Sequence, residues 1–223
     1  NKNLINLVAI SHAVKNLFIK KYSIYPKKIT VLHSGSSIKI NFKPKLVHNK
    51  RLKIAYFGSI SSSKGIDTLI KLSKIDQKND YYVYGGDKEQ IRKIKKRNSN
   101  NNLFLNSSIP YAKIPEAMLS MDVLTMPYKK TIRSAGEVDD ISKYTSPLKL
   151  FDYLAVGKII ITSDLNVLRE VIGDKNAYFI KNYQNVYEWK KNIELVKNNR
   201  TKNLVISKNN LNLSKNYDHS KRV

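Results

Sequence analysis

Short runs rich in β-branched and aromatic residues alternate along this chain with longer stretches whose apolar positions recur at helical spacing, the pattern of successive βα units on a mostly parallel sheet. Leu4 to Ile10 reads as a strand, Ser11 as the N-cap of a helix over HAVKNLFIKKY, and Lys28 to Leu32 as a second strand. The stretch SGSSIKINFKPKLVHNK then mixes Gly, Pro, Ser and Lys without a sustained period. Beyond it the rhythm restarts: LKIAYFG as a strand, KGIDTLIKLSKI as a helix, YYVYGG as a strand, DKEQIRKIKKR as a helix and NLFL as a strand. It continues through a short helix at IPEAMLSM, the strand DVLTMP, a long polar loop, the helix PLKLFDYLAV, the strand KIIIT, the helix LNVLREVI and the strand AYFI. Two helical segments, NVYEWKKNIELVKNN and TKNLVISKNNLNLSKN, close the pattern, and KKRNSNNN reads as a solvated helix end.

The class is therefore α/β. Residues 1–35 read as a fragment of one Rossmann-like domain, 36–50 as a linker, 51–200 as a second Rossmann-like domain and 201–223 as a C-terminal helical segment. The chain does not begin with Met and enters an apolar run almost at once, which reads as a piece of a longer protein. No apolar run approaches the roughly 20 residues of a membrane-spanning helix. Absence of Cys excludes disulfides, thiol catalysis and Cys-ligated metal, and suits a reducing compartment.

Net charge changes the picture most. With 41 Lys and Arg against 17 Asp and Glu the chain carries +24, a field that attracts phosphates, nucleic acids or an anionic membrane face. Lys is spread among abundant Asn, Ile and Tyr, so compositional bias of a genome explains it equally well. The basic residues are diffuse and no RNA-binding signature or zinc finger accompanies them, so no specific nucleic-acid partner is expected and a membrane surface is favoured. His12, His33, His48 and His219 are scattered without ligand spacing, and no metal site is expected.

Two segments carry candidate chemistry. Gly58 to Gly65, GSISSSKG, joins a strand to a helix; Gly58 permits a tight turn, the helix start offers N–H groups to a phosphate, and Lys64 adds a full charge. Taken alone it reads first as a serine-rich turn with an exposed lysine, and it matches neither the Walker pattern nor G-x-G-x-x-G. In TSPLKLFDYLAVGKIIITSD, Ser146 suits an N-cap, Pro147 the first helical position and Gly157 the helix end. Free N–H groups at Leu148 and Lys149, with the Lys149 ammonium, form a potential diphosphate site without a metal. Asp152, three residues on, is placed to accept from both ribose hydroxyls or, more plainly, to pair with Lys149 on the surface.

In order and spacing, GSISSSKGIDTLI, YYVYGG, NLFLNSSIPYAKIPEAMLSMDVLTMPY and SPLKLFDYLAVGKIIITSDLNVLREVI resemble the C-terminal, donor-binding domain of glycosyltransferase family 4, a retaining family of GT-B fold. SHAVKNLFIKKYSIYPKKITVLHSGSSI resembles the last βα unit of that family's N-terminal domain. The resemblance implies that Gly58 lines the donor cleft beside Gly65, that Lys64 contacts the donor diphosphate, that Ser146, Pro147, Leu148 and Lys149 lie against the phosphates, and that Asp152 binds the ribose. Asp152 stands where the family has a longer Glu. Seven residues before it the family has a first acid facing the sugar, and here that position is Tyr144. Lys64, Lys149 and Tyr144 are accordingly the catalytic candidates. Glu137, Asp139 and Asp140 in TIRSAGEVDDISKY are candidates to replace the missing acid, or are solvated loop acids. Gly85 and Gly86 face the same cleft, or make a plain turn. Glu170 matches a family acid and reads as a packing residue or a partner of a nearby Lys; Trp189, Tyr187 and Ile193 read as packing on an amphipathic helix.

The resemblance further implies metal-independent sugar transfer from a nucleotide diphosphate to a hydroxyl of a glycan or lipid-linked acceptor, without a cofactor, in cell-envelope polysaccharide or glycolipid synthesis. The expected setting is cytoplasmic, at the inner face of the membrane, and this piece alone is expected to be inactive. A nucleotide-sugar epimerase of the same architecture and a non-catalytic basic binding module are the alternatives.

Overall fold

In the computed structural model, residues 4–40, 50–133 and 140–222 are described. The chain opens on a small βαβ unit. β1 (Leu7–Ala9) pairs in parallel with β2 (Ile29–Val31), Leu7 opposite Ile29, and α1 (His12–Tyr22) crosses between them. Ser11 caps α1 as its sequence suggests, accepting from the Val14 N–H at 3.1 Å. Both strands are shorter than their apolar runs, because pairing ends where Ile5 and Ile10 face solvent.

A six-stranded parallel sheet follows, made of β3 (Lys53–Phe57), β4 (Asp80–Tyr84), β5 (Leu103–Asn106), β6 (Val123–Met126), β7 (Ile159–Ser163) and β8 (Tyr178–Ile180), in the order β5-β4-β3-β6-β7-β8. Every residue of β6 and β7 is buried, as expected of central strands covered on both faces, which explains their largely apolar sequences. The covering helices are α2 (Ile66–Ile75), α3 (Lys88–Arg97), α4 (Ile114–Leu119), α5 (Leu148–Ala155), α6 (Asn166–Arg169), α7 (Val186–Asn198) and α8 (Arg200–Ser214). Asp87 and Gln90 close a reciprocal capping box at the start of α3.

The strand order reverses between β3 and β6, the point at which an open α/β sheet leaves a crevice outside the carboxyl ends of its strands. α5 is held across that crevice by Tyr153, whose hydroxyl accepts from the Phe57 N–H at 3.0 Å and donates to the Thr125 carbonyl at 3.3 Å. Leu150, Phe151, Tyr153 and Leu154 of α5 are fully buried.

α8 packs against α5: a Cβ on Gly157 would stand 2.5 Å from Leu211 Cγ, the Ser207 hydroxyl donates to the Gly157 carbonyl, and Asn210 donates to Lys158 O at 3.1 Å. The chain then turns back onto the first unit. Ser36 forms a parallel bridge with Asp218, its N–H donating to Tyr217 O at 2.9 Å.

Two sequence readings need correction. KKRNSNNN is not simply a solvated helix end: Asn102 is buried and donates to the Asp76 and Asn79 carbonyls, both at 2.9 Å, tying the start of β5 to the turn before β4. Trp189 and Ile193 are core residues, with Trp189 Nε1 donating to Tyr183 O at 3.0 Å, but Tyr187 is 67% exposed because it sits on the outward side of α7.

Candidate functional site

At the β3/β6 crevice lies a cavity of about 400 Å³, lined by Gly58, Lys64, Ser146, Pro147, Leu148, Lys149 and Asp152, together with Tyr128 and Thr145. Residues from the loop after β3 and from the start of α5, some ninety positions apart, thus share one space.

Gly58 ends β3 with φ 138°. A Cβ there would stand 2.7 Å from Lys149 Nζ, so the missing side chain is what admits the lysine. Lys149 Nζ donates to Tyr128 Oη at 2.7 Å and Tyr56 Oη at 3.0 Å, and lies 4.8 and 4.5 Å from the two ring centroids. Lys64 Nζ stands 4.8 Å from the Tyr128 ring centroid, so both lysines address one aromatic face system. Burial, and then the charge of Lys64, lower the Lys149 pKa to about 7. Burial raises Tyr56 and Tyr128, which stay neutral phenols.

Asp152 is joined to this group by the turn of α5. Its Oδ1 accepts from Ser36 Oγ at 2.5 Å and Tyr111 Oη at 3.3 Å. Burial raises its pKa, and these two hydrogen bonds offset part of the rise. It makes no ion pair with Lys149, which removes the surface-pair reading.

The start of α5 is built differently from its sequence description. Ser146 is not the N-cap; Pro147 holds that position at φ −78°, ψ 78°, an inverse γ-turn in which the Leu148 N–H donates to Ser146 O at 2.9 Å. The Leu148 N–H is therefore spoken for, while the Lys149 N–H makes no backbone hydrogen bond. Ser146 Oγ is buried without a partner. In the other loop, Ser62–Lys64 forms a 3-10 turn that uses the Lys64 and Gly65 N–H groups on Ser61 O and Ser62 O. Gly65, at φ 73°, leaves no room for a side chain: a Cβ would collide with the Pro127 carbonyl. Positive charge in the cavity thus comes from ammonium groups, with the helix start contributing one N–H.

Gly85 and Gly86 line a neighbouring cavity of about 380 Å³ that shares Phe57, Gly58 and Ile114 with the first. A Cβ on Gly85 would collide with the Gly58 carbonyl. The Phe57 and Tyr84 rings stack beside it at 4.6 Å.

Tyr144 does not join the group. It lines a third cavity, about 520 Å³, with Ala13, Asn166 and Glu170. Asp140 is exposed, accepts from the Ser142 N–H at 2.9 Å and lines none of these spaces; Glu137 and Asp139 lie outside the described residues.

Glu170 finds partners other than a lysine. It accepts from the His12 N–H at the start of α1 at 2.6 Å and lies 3.6 Å from His33 Nε2. The fold therefore gathers His12, His33 and Glu170, with potential ligand atoms within 4.8 Å of one another, although linear spacing separated them. Ser36, Tyr56, Tyr111, Tyr128 and Tyr153 were the residues missed from sequence. Tyr128, directly after the β6 motif, was the one with a visible signal.

A 3-2-1-4-5-6 parallel sheet with this crevice is a Rossmann-like domain, matching those of GT-B glycosyltransferases in fold. The chain belongs to the glycosyl transferases group 1 family, whose model matches residues 37–216. Solved structures of similar fold include TarM of S. aureus (16% identity, TM-score 0.69, 97% of this chain and 41% of that one). Anabaena HepE in complex with UDP-glucose is similar at 14% identity and TM-score 0.68, over 97% of this chain and 61% of that one. Sucrose-phosphate synthase of Thermosynechococcus elongatus aligns at 14% identity and TM-score 0.72, over 98% and 56%. The chain thus spans about two fifths to three fifths of their lengths. No curated protein sequence matches it. Among the described residues no helix is long and apolar enough to cross a membrane.

Proposed function

We propose that this chain carries the donor site of a retaining, metal-independent glycosyltransferase of family 4, which moves a sugar from a nucleotide diphosphate to an acceptor hydroxyl. The observation that supports this most is the single cavity shared by Lys64, Lys149, Ser146 and Asp152. Two ammonium groups and the Lys149 N–H receive the diphosphate, and the Ser146 hydroxyl supplies a further hydrogen bond to a phosphate oxygen. Asp152, fixed by Ser36, takes the ribose hydroxyls. As the glycosidic bond breaks, charge grows on the departing diphosphate, and preorganised cations in a low-dielectric space stabilise that charge more than they stabilise the bound donor. Gly85, Gly86 and the stacked Phe57 and Tyr84 border the space next to the ribose end and receive the base.

Cell-envelope polysaccharide or glycolipid synthesis at the inner membrane face is the proposed setting. The exposed basic side of α3, with Lys88, Arg92, Lys95, Lys96 and Arg97, suits an anionic leaflet beside a lipid-linked acceptor.

A thermal-shift panel of UDP-, GDP- and ADP-sugars tests the donor reading. One nucleotide class is expected to raise Tm in a concentration-dependent way. No shift with any of them, beside salt-sensitive binding to vesicles or nucleic acid, refutes it in favour of a basic binding module.

A further inference from the structure

We propose that His12, His33 and Glu170 form a zinc site on the seam between the opening βαβ unit and the six-stranded sheet, where the bound ion ties the two units together. The site is separate from the donor cavity and stands independently of the donor reading.

Topology brings the ligands to one place. β1 and β2 run parallel, so their carboxyl ends lie side by side. His12 opens α1 shortly after β1, and His33 follows β2 at the point where the Leu32 N–H donates to Ala9 O at 2.8 Å. Glu170 comes from the other unit, at the end of α6. Potential ligand atoms of the three lie within 4.8 Å of one another.

The spacing fits an ion better than a hydrogen-bonded cluster. His33 Nε2 and Glu170 Oε1 are 3.6 Å apart, too long for a hydrogen bond and close to the roughly 3.4 Å that separates two ligand atoms on a tetrahedral zinc with bonds of about 2.1 Å. Among the described residues neither imidazole makes a hydrogen bond. Two of the ligands are already held in place: the side chains of His33 and Glu170 are only 17% and 18% exposed, the Tyr217 ring meets His33 edge-on at 5.9 Å, and the His12 N–H donates to Glu170 Oε1 at 2.6 Å. A donor behind a ligating carboxylate fixes its orientation. As a plain cap on α1 that bond accounts for one oxygen of Glu170 and leaves the convergence of two rings unexplained. His12 is exposed, so its ring closes on the ion by side-chain rotation alone.

Two imidazoles and one carboxylate, with water in the fourth position, make a zinc donor set, whereas Mg2+ and Ca2+ take oxygen ligands. Glu170 lines the cavity that holds Tyr144 and not the one that holds Lys64 and Lys149, so the ion fastens the seam and leaves the diphosphate to the lysines.

ZnCl2 titrated calorimetrically into the untagged chain is expected to bind one ion, and zinc at a hundredfold excess over its Kd to raise Tm by roughly 5–11 °C. MgCl2 and CaCl2 are expected neither to bind nor to compete. His12→Ala, which keeps the main-chain contact to Glu170, and Glu170→Gln, which keeps an acceptor for it, are each expected to weaken zinc binding at least about tenfold; His219→Ala is expected to leave it unchanged. CoCl2 in place of zinc is expected to give the visible absorption of a tetrahedral site in the native chain and not in His12→Ala. No zinc bound, zinc bound without a rise in Tm, or affinity unchanged in His12→Ala or Glu170→Gln overturns the inference. No nucleotide enters these measurements, so the donor site stands or falls on its own test.

Discussion

Ser36 Oγ donates to Asp152 Oδ1 at 2.5 Å, joining the segment after β2 to the middle of α5 across 116 positions of sequence. Ser36 itself is locked by the backbone of Tyr217 and His219. The carboxylate proposed to grip the ribose is therefore aligned before a nucleotide arrives. Ser36→Ala removes a hydrogen bond to a charged, part-buried group and is expected to cost about 1.5–3 kcal/mol near pH 7.5. The sign with pH follows from the raised Asp152 pKa: losing the Ser36 donor raises it further, so the deficit is largest where Asp152 is ionised and shrinks as pH falls through the pKa. Urea denaturation of both proteins at several pH values reads this; a deficit that grows toward acid contradicts it.

Lys64→Ala removes the ammonium proposed to contact the diphosphate and is expected to weaken donor binding about 10- to 150-fold, the equivalent of roughly 1.5–3 kcal/mol. Isothermal calorimetry measures it, and unchanged affinity removes Lys64 from the site.

Lys149 governs a pH dependence of stability. Its folded pKa, about 7, lies below the unfolded value of 10.5, so between these two pH values the unfolded chain binds more protons and stability from this group rises with pH. Relative to Lys149→Met, the native protein is expected to gain at least about 1.4 kcal/mol, one pKa unit's worth, between pH 6.5 and 9.5. Parallel curves of Tm against pH for the two proteins would show the lysine to be ordinarily charged.

Tyr153→Phe leaves the Phe57 N–H buried without its acceptor and loosens α5 from β3. A loss of about 1–3 kcal/mol is expected, or roughly 2–12 °C in Tm at this chain length. Scanning calorimetry reads the change, and a shift below 1 °C would mean that water replaces the phenol.

Local chemistry was legible from sequence wherever one segment decides the outcome. Ser11 caps α1, Asp87 starts α3, and the β-branched run IIIT becomes a strand buried on both faces. The lining of the cavity by Gly58, Lys64, Ser146, Lys149 and Asp152 was legible because a family resemblance carried long-range information that spacing lacks. What stayed hidden depends on backbone detail or distant partners. The γ-turn at Pro147 moved the helix start by one residue and spent the Leu148 N–H. The Ser36–Asp152 bond and the meeting of His12, His33 and Glu170 need the closing of chains over a hundred residues long. Tyr144 went to a separate cavity because the turn from Ile141 to Thr145 carries it there.

From β3 the backbone passes toward β4 on one side, and from β6 toward β7 on the other. The chain leaves those two neighbouring strands in opposite directions, so strand order sets the opening before any side chain is chosen. Substitution around it can change which molecule is held far more easily than it can abolish the vacancy itself.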